Sequence, residues 1–142
     1  MTLYLVRHAK SDWNKPLMDV DRPLNDRGKR EAVALGAELK RLGIEPDLIL
    51  ASSSKRTEET LYYLELEGEL LEELYLADVK TLRSFIEYHP SKALMIIGHN
   101  PGLENLASEL LREDIYMKTA HLLKIDTEKR TLELELRGKE LL

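Results

Sequence analysis

The first fourteen residues, Met1–Asn14, read MTLYLVRHAKSDWN, and the reading of this stretch decides the fold. Leu3, Tyr4, Leu5 and Val6 form a short apolar run of strand length, unbroken by polar residues, as a strand buried on both faces requires. The run ends abruptly in Arg7-His8, residue types that bind and attack phosphate. Open α/β sheets place ligands beyond the carboxyl ends of their strands. His8 is therefore a candidate nucleophile and Arg7 its phosphate clamp, and their partners must come from other strand ends.

The rest of the chain supplies such ends. After the first strand, KSDWNKPLMDVDRPLNDRG carries two prolines and several Asp and Asn without a steady period, so it reads as a long loop, and long loops are usually functional. Asn25 or Asp26 then caps a helix from about Arg27 to Leu42, with Ala32, Leu35, Leu39 and Leu42 at helical spacing and Gly43 as its stop. Residues 47–51 (DLILA) read as a second buried strand. In SSSKRTEET, Ser53 or Ser54 is a plausible N-cap for a helix that carries Leu61 and Leu64 inward and ends near Gly68. Residues 69–76 fit either a helix or a short strand. Asp78 caps a helix from about Val79 to Tyr88, stopped by Pro90. Residues 93–98 (ALMIIG) are the clearest strand, followed by His99 and by Asn100-Pro101 as the N-cap and first residue of another helix, running to about Leu111. Two runs, Ala120–Ile125 and Thr131–Leu136, flank a polar turn and read as a β-hairpin, its second run alternating Leu with Glu. Strands alternating with helices predict an α/β fold in three layers: a mostly parallel central sheet, helices on both faces, and a C-terminal antiparallel hairpin toward one edge.

Parallel strands gather their carboxyl ends on one rim. The first brings Arg7 and His8, the second Ser52–Ser54 with Arg56 in the first turn of its helix, and the third His99. That set suits phosphoryl transfer through a phosphohistidine. A phosphoryl group spreads charge over three equatorial oxygens, so catalysis is largely positioning and charge stabilisation. Arg7 and Arg56 offer charge-assisted hydrogen bonds. Their charges also disfavour the imidazolium form of His8 and keep a nucleophile available near neutrality. His99 can hold an equatorial oxygen. Each residue has a plainer account: a hydrogen-bonded core histidine for His8, an ion pair with Glu59 for Arg56, a helix start for His99-Asn100-Pro101. A metal site of His8, His99 and Asp12 fits by residue type, but two flanking arginines would repel a divalent cation. No metal and no cofactor is expected. His89 and His121 look structural; Trp13 and Tyr75 could wall the pocket, but core or rim packing is the plainer account.

Bulk properties bound the function class. With 142 residues and 43% hydrophobic content, one domain spanning 1–142 can bury a core without staples. The formal net charge of -5 argues against nucleic-acid binding, which needs a basic face. There is no cysteine, so thiolate chemistry is excluded. No signal-like or membrane-length apolar segment stands out, so a cytoplasmic protein without membrane attachment, monomeric, is expected.

Four ordered segments, LYLVRHAKS, DRPLNDRG, SSSKRTEET and GHNPG, together resemble the histidine phosphatase (phosphoglycerate mutase-like) superfamily, and within it the small SixA-type phosphohistidine phosphatases. The resemblance runs from residue 3 to about residue 111. It implies a phosphoglycerate mutase-like fold. It implies that His8 accepts the phosphoryl group and that Arg7, Arg56 and His99 complete the pocket. It further implies that Asn14 contacts the phosphate and that Arg22 reaches toward the site. Two departures stand out. Ala9 replaces the Gly usual after Arg-His in the wider superfamily. The Glu that many relatives carry after the second helix, as proton donor to the leaving group, has no clear match; Asp19, Asp21 and Asp78 are the possible substitutes. A missing acid suits phosphohistidine, whose nitrogen leaving group departs more readily than an alkoxide.

The expected function is thus a phosphatase acting on a phosphohistidine-bearing protein through a covalent phospho-His8. No insertion that would close over a small substrate is visible. One alternative is a small-molecule phosphomonoesterase or mutase taking a small phosphorylated substrate; another is a catalytically weak phospho-binding module.

Overall fold

The structure, a computed structural model, describes residues 1–142. Six strands form one sheet: β1 (Thr2–Arg7), β2 (Leu48–Ser52), β3 (Glu69–Leu71), β4 (Ala93–Gly98), β5 (His121–Asp126) and β6 (Thr131–Arg137). Their spatial order is β3-β2-β4-β1-β5-β6. The four strands from β3 to β1 run parallel, and β5 and β6 join as an antiparallel hairpin with β6 at the edge. Four helices accompany the sheet: α1 (Asp26–Arg41), α2 (Lys55–Tyr63), α3 (Val79–Tyr88) and α4 (Gly102–Leu111).

The unbroken apolar runs of β1 and β4 are explained by cover on both faces. Leu3 and Leu5 join Leu94 and Ile96 in a core with Leu82 of α3 and Leu103 and Leu106 of α4. Tyr4 and Val6 point the other way, with Met95 and Ile97, onto Leu35 and Leu39 of α1 and Leu61 and Leu64 beside α2. One strand therefore feeds two cores, and a polar residue at any of these positions would be buried without a partner.

Local signals act as the sequence predicts at several ends. Asn25 accepts the Gly28 N–H at 2.7 Å to cap α1, and Asp78 accepts the Thr81 N–H at 2.9 Å to cap α3. Residues 69–76 resolve into strand β3 followed by a single 3-10 turn, Glu72–Leu74. Two ends differ. Helix α2 stops at Tyr63, ahead of Gly68, because Glu65 turns into the left-handed region (φ 58°) and the chain folds back so that the Leu66 N–H meets the Leu61 carbonyl. Helix α4 begins at Gly102, and Asn100 does not cap it; the Asn100 side-chain amide instead donates to the Met117 carbonyl at 2.8 Å. No helix is long and apolar enough to cross a membrane.

Candidate active site

Register places the site. Parallel β1 and β4 pair Val6 with Ile97 and Arg7 with Gly98, so the next residue on each strand, His8 and His99, leave the sheet side by side. Their ring centroids lie 5.3 Å apart. Strand β4 sits between β1 and β2, so His99 also reaches Ser52 at the end of β2, Nε2 to Oγ at 2.8 Å. Helix α2 starts directly after β2 and carries Arg56 back over both histidines.

Close backbone contacts hold this arrangement. Thr60 accepts the Ala9 N–H at 2.9 Å while its hydroxyl donates to the Arg56 carbonyl at 2.7 Å, tying the residue after His8 to the turn of α2 that bears Arg56. The NDRG segment clamps the following residue: Asn25 N–H donates to the Lys10 carbonyl, and a Cβ at Gly28 would lie 2.2 Å from that same oxygen. Glu59 accepts the Leu24 N–H at 2.8 Å, which leaves Arg56 to other partners.

His8 is 7% exposed. Its Nδ1 lies 2.7 Å from the Ala9 carbonyl and so carries the proton, which leaves the lone pair on Nε2. Arg56 Nε donates to that Nε2 at 3.3 Å. Arg56 Nη2 donates to His99 Nδ1 at 3.3 Å and to Asp19 Oδ2 at 3.0 Å, and Nη1 donates to the Asp19 carbonyl at 2.7 Å. Arg7 Nη1 donates to the Met117 carbonyl at 3.0 Å, whereas its buried Nε has no hydrogen-bond partner. Burial, reinforced by Arg56 and Arg7, pushes the His8 imidazole down to about 4. Burial, His8 and Arg56 push His99 down to about 3. Both rings are therefore neutral at pH 7, and His8 offers an unprotonated nitrogen within a cationic frame.

An open cavity of about 360 Å³ contains this group, with Arg7, His8, Asp19, Arg56 and His99 on its wall and Trp13 and Leu76 on its rim. Of the other residues singled out in the sequence, Asn14 is exposed and does not line the cavity; its N–H donates to Asp12 Oδ1. Arg22 is buried behind the wall, its guanidinium 3.6 Å from the Trp13 ring centroid and its Nε 4.0 Å from Asp19 Oδ1. Asp21 does not reach the cavity, and Asp78 is occupied as the α3 cap, its pKa lowered by that bond. Asp19 alone of the three aspartates lies in it. The Tyr75 hydroxyl, first, and then Arg56 hydrogen-bond Asp19 and lower its pKa, so it is a carboxylate here and not a ready proton donor. Trp13 sits on the cavity rim, and Tyr75, behind the wall, also sets its ring edge-on to His99 at 5.4 Å. Tyr75 carries no local signal, since its role depends on an aspartate fifty-six residues away.

Residues 3–89 match the family model of the histidine phosphatase superfamily, branch 1. The chain belongs to the histidine phosphatase superfamily. A solved structure designated phosphohistidine phosphatase SixA, from Agrobacterium tumefaciens, superposes with a TM-score of 0.89 at 29% identity, covering 95% of this chain and 97% of that one. A protein histidine phosphatase SixA complexed with tungstate shares the fold at a TM-score of 0.84 and 23% identity, over the full length of both chains. Among curated proteins, an uncharacterised chloroplastic protein of Arabidopsis thaliana is 34% identical over 137 residues, 84% of this chain and 63% of that protein. A 2,3-bisphosphoglycerate-dependent phosphoglycerate mutase of Bartonella tribocorum is 30% identical over 58% of this chain but only 39% of its own length. The chain thus spans less than two thirds of these two curated relatives.

Proposed function

We propose that the protein is a phosphatase that removes the phosphoryl group from phosphohistidine on a protein substrate, through a covalent phospho-His8. The observation that carries this reading is the presentation of His8 Nε2: its partner nitrogen is committed to the Ala9 carbonyl, burial keeps the ring neutral, and the unprotonated Nε2 meets only the Arg56 guanidinium, at 3.3 Å. In the first step Nε2 attacks phosphorus, the His8 N–P bond forms, and the substrate N–P bond breaks. The leaving imidazole carries a proton on its other ring nitrogen and departs neutral, so no strong acid is needed. In the second step water attacks phosphorus, the His8 N–P bond breaks, inorganic phosphate leaves, and the water proton passes to the phosphate oxygens.

Arg7, with its free Nε, and Arg56 hold the equatorial oxygens and match the charge that develops on them. When a phosphoryl oxygen draws Arg56 away from His99 Nδ1, the ring can exchange its Nε2 proton for one on Nδ1 through solvent; the Ser52 hydroxyl then donates to Nε2 and Nδ1–H donates to that oxygen. Asp19, held as a carboxylate by Tyr75 and Arg56, would serve an alkoxide leaving group as proton donor only once those bonds loosen.

Rapid-quench labelling with a phosphohistidine protein tests the mechanism. An acid-labile phosphoryl group on His8 is expected; a competent enzyme that never labels there overturns it. The mutase similarity favours a second reading, turnover of small phosphoesters. A kcat/KM on phosphoglycerate or sugar phosphates well above that on phosphohistidine would select it.

A further inference from the structure

A second cavity, of about 270 Å³, opens beside the first and shares Lys10 and Thr119 with it. Its wall brings together four separated pieces of chain: Lys10 after β1, Arg27 and Glu31 on α1, Lys118 before β5, and Arg137 at the end of β6 with Lys139 and Glu140 just after it. The fold makes this junction deliberately tight. Gly138 packs against α1 so closely that a Cβ there would lie 2.9 Å from the Glu31 Cβ and 3.0 Å from the Glu31 carbonyl. The Gly138 N–H also donates to the Ala120 carbonyl at 2.9 Å. The C-terminal 3-10 turn, Gly138–Leu141, is thereby fixed on α1, and its Lys139 lines the cavity together with Lys10 and Lys118.

The charges there are not balanced. Arg27 pairs with Glu31 at 3.1 Å, and Arg137 pairs with Glu140 at 3.1 Å and Glu135 at 3.0 Å. Lys10, Lys118 and Lys139 have no ion pair. The two joined cavities present seven cationic side chains against three carboxylates, on a chain whose formal charge is -5. The sign reverses again across the rim: Glu72 and Glu73, just beyond the carboxyl end of edge strand β3, are both exposed. A partner meeting this rim therefore encounters a cationic flank on the hairpin side and an anionic flank on the β3 side, which fixes its orientation as well as attracting it.

Resting on the phosphohistidine reading, we infer that the Lys10–Lys118–Lys139 cavity is a docking site for an acidic segment of the protein substrate, seated beside the phosphorylated residue. The chemistry selects carboxylates over a second phosphate. Both arginines, which would grip a phosphate with paired hydrogen bonds, are already engaged by Glu31, Glu135 and Glu140. The free cations are lysines, compact charges on flexible stems that suit several dispersed carboxylates. The cavity is also open and continuous with the phosphoryl pocket, so one extended segment reaches both.

Binding of peptides to the full chain, followed by the fluorescence of Trp13, the single tryptophan on the rim, tests the site without requiring turnover. The probes are a Glu-rich peptide, the same peptide with Gln for Glu, and a small bisphosphate beside its monophosphate. The Glu peptide should bind at least about tenfold more tightly than the Gln peptide, and Lys118→Glu/Lys139→Glu should erase that difference. Equal binding of the two peptides, or an advantage that survives the charge reversal, overturns the proposal. So does a bisphosphate that gains as much from the lysines as the Glu peptide does, because it would place a second phosphate there. With phosphohistidine peptides as substrates, the same variant should raise KM for the acidic sequence and leave kcat on free phosphohistidine within about twofold. Failure of the wild type to turn over any phosphohistidine would remove the functional reading but would leave the peptide-binding outcome standing on its own.

Discussion

Two buried histidine clusters sit within one fold, and they differ in what surrounds them. His121, on β5, is 1% exposed; its Nδ1 accepts the Lys118 N–H at 3.2 Å and its Nε2 faces Glu135 Oε1 at 2.7 Å. His8 is nearly as buried, at 7%, yet its Nε2 meets only the Arg56 guanidinium at 3.3 Å. Burial lowers the pKa of both. At His121 the carboxylate opposes that shift; at His8 the neighbouring cations reinforce it, and the unprotonated Nε2 is met only by a guanidinium that a phosphoryl group can draw away. Burial alone does not make a nucleophile: the sign and reach of the neighbouring charges decide.

The sharpest way to break this contrast is to exchange the functional fates of the two residues. His8→Ala should lower phosphohistidine turnover at least about 10⁴-fold while the protein stays folded, because the covalent route is gone. Comparable single-turnover rates for variant and wild type would end the distinction. Arg56→Ala should follow with a loss of about 10²–10³-fold in kcat/KM, since one guanidinium touches His8, His99 and Asp19. Asp19→Asn separates leaving groups: turnover of an alkyl phosphate should fall about tenfold, and that of phosphohistidine should change less than about threefold. An equal loss on both would make Asp19 part of the phosphohistidine chemistry.

The smallest effects concern stability. Folding lowers the His8 pKa from 6.5 to about 4 and that of His99 to about 3, so below pH 6.5 the unfolded chain binds more protons than the native one. The stabilisation by these neutral rings is complete above pH 6.5 and drains away as pH falls toward 4 and 3. Urea melts should give a falling midpoint over that window, and His8→Gln/His99→Gln should flatten the slope. His121→Gln should cost about 1–3 kcal/mol of stability by disturbing buried hydrogen bonds, with kcat/KM kept within about threefold. A large loss of turnover there would merge the two clusters into one functional unit.

Much of this was open to a reader of the chain. The apolar runs of β1 and β4 and the caps Asn25 and Asp78 are local features, and a local rule suffices for each. Arg7 ends β1, His8 and His99 directly follow β1 and β4, and Arg56 lies in the first turn of the helix after β2, so their convergence follows once the strands are parallel. The errors are instructive. Gly68 looked like the stop of α2, but Glu65 takes the left-handed turn first, and Gly68 is needed instead where a Cβ would meet Ile49 at 2.8 Å. Asn100-Pro101 looked like a cap, but Met117, from a distant loop, claims the Asn100 amide. Asn14 and Arg22 belong to a loop without periodicity, whose path residue type does not give; the fold brings Arg22 to Asp19 and Trp13 and leaves Asn14 exposed.

The sequence by itself determined the α/β alternation and the residues delivered to the rim, because burial periodicity and helix capping act over a few neighbouring residues. Only the tertiary structure decided that β4 inserts between β1 and β2, which sets His99 against both His8 and Ser52. It likewise decided that Asp19 meets Arg56 and Tyr75, and that Lys10, Lys118 and Lys139 share one cavity. Those contacts join residues far apart in the chain, and strand order, register and the close approach at Gly138 bring them together.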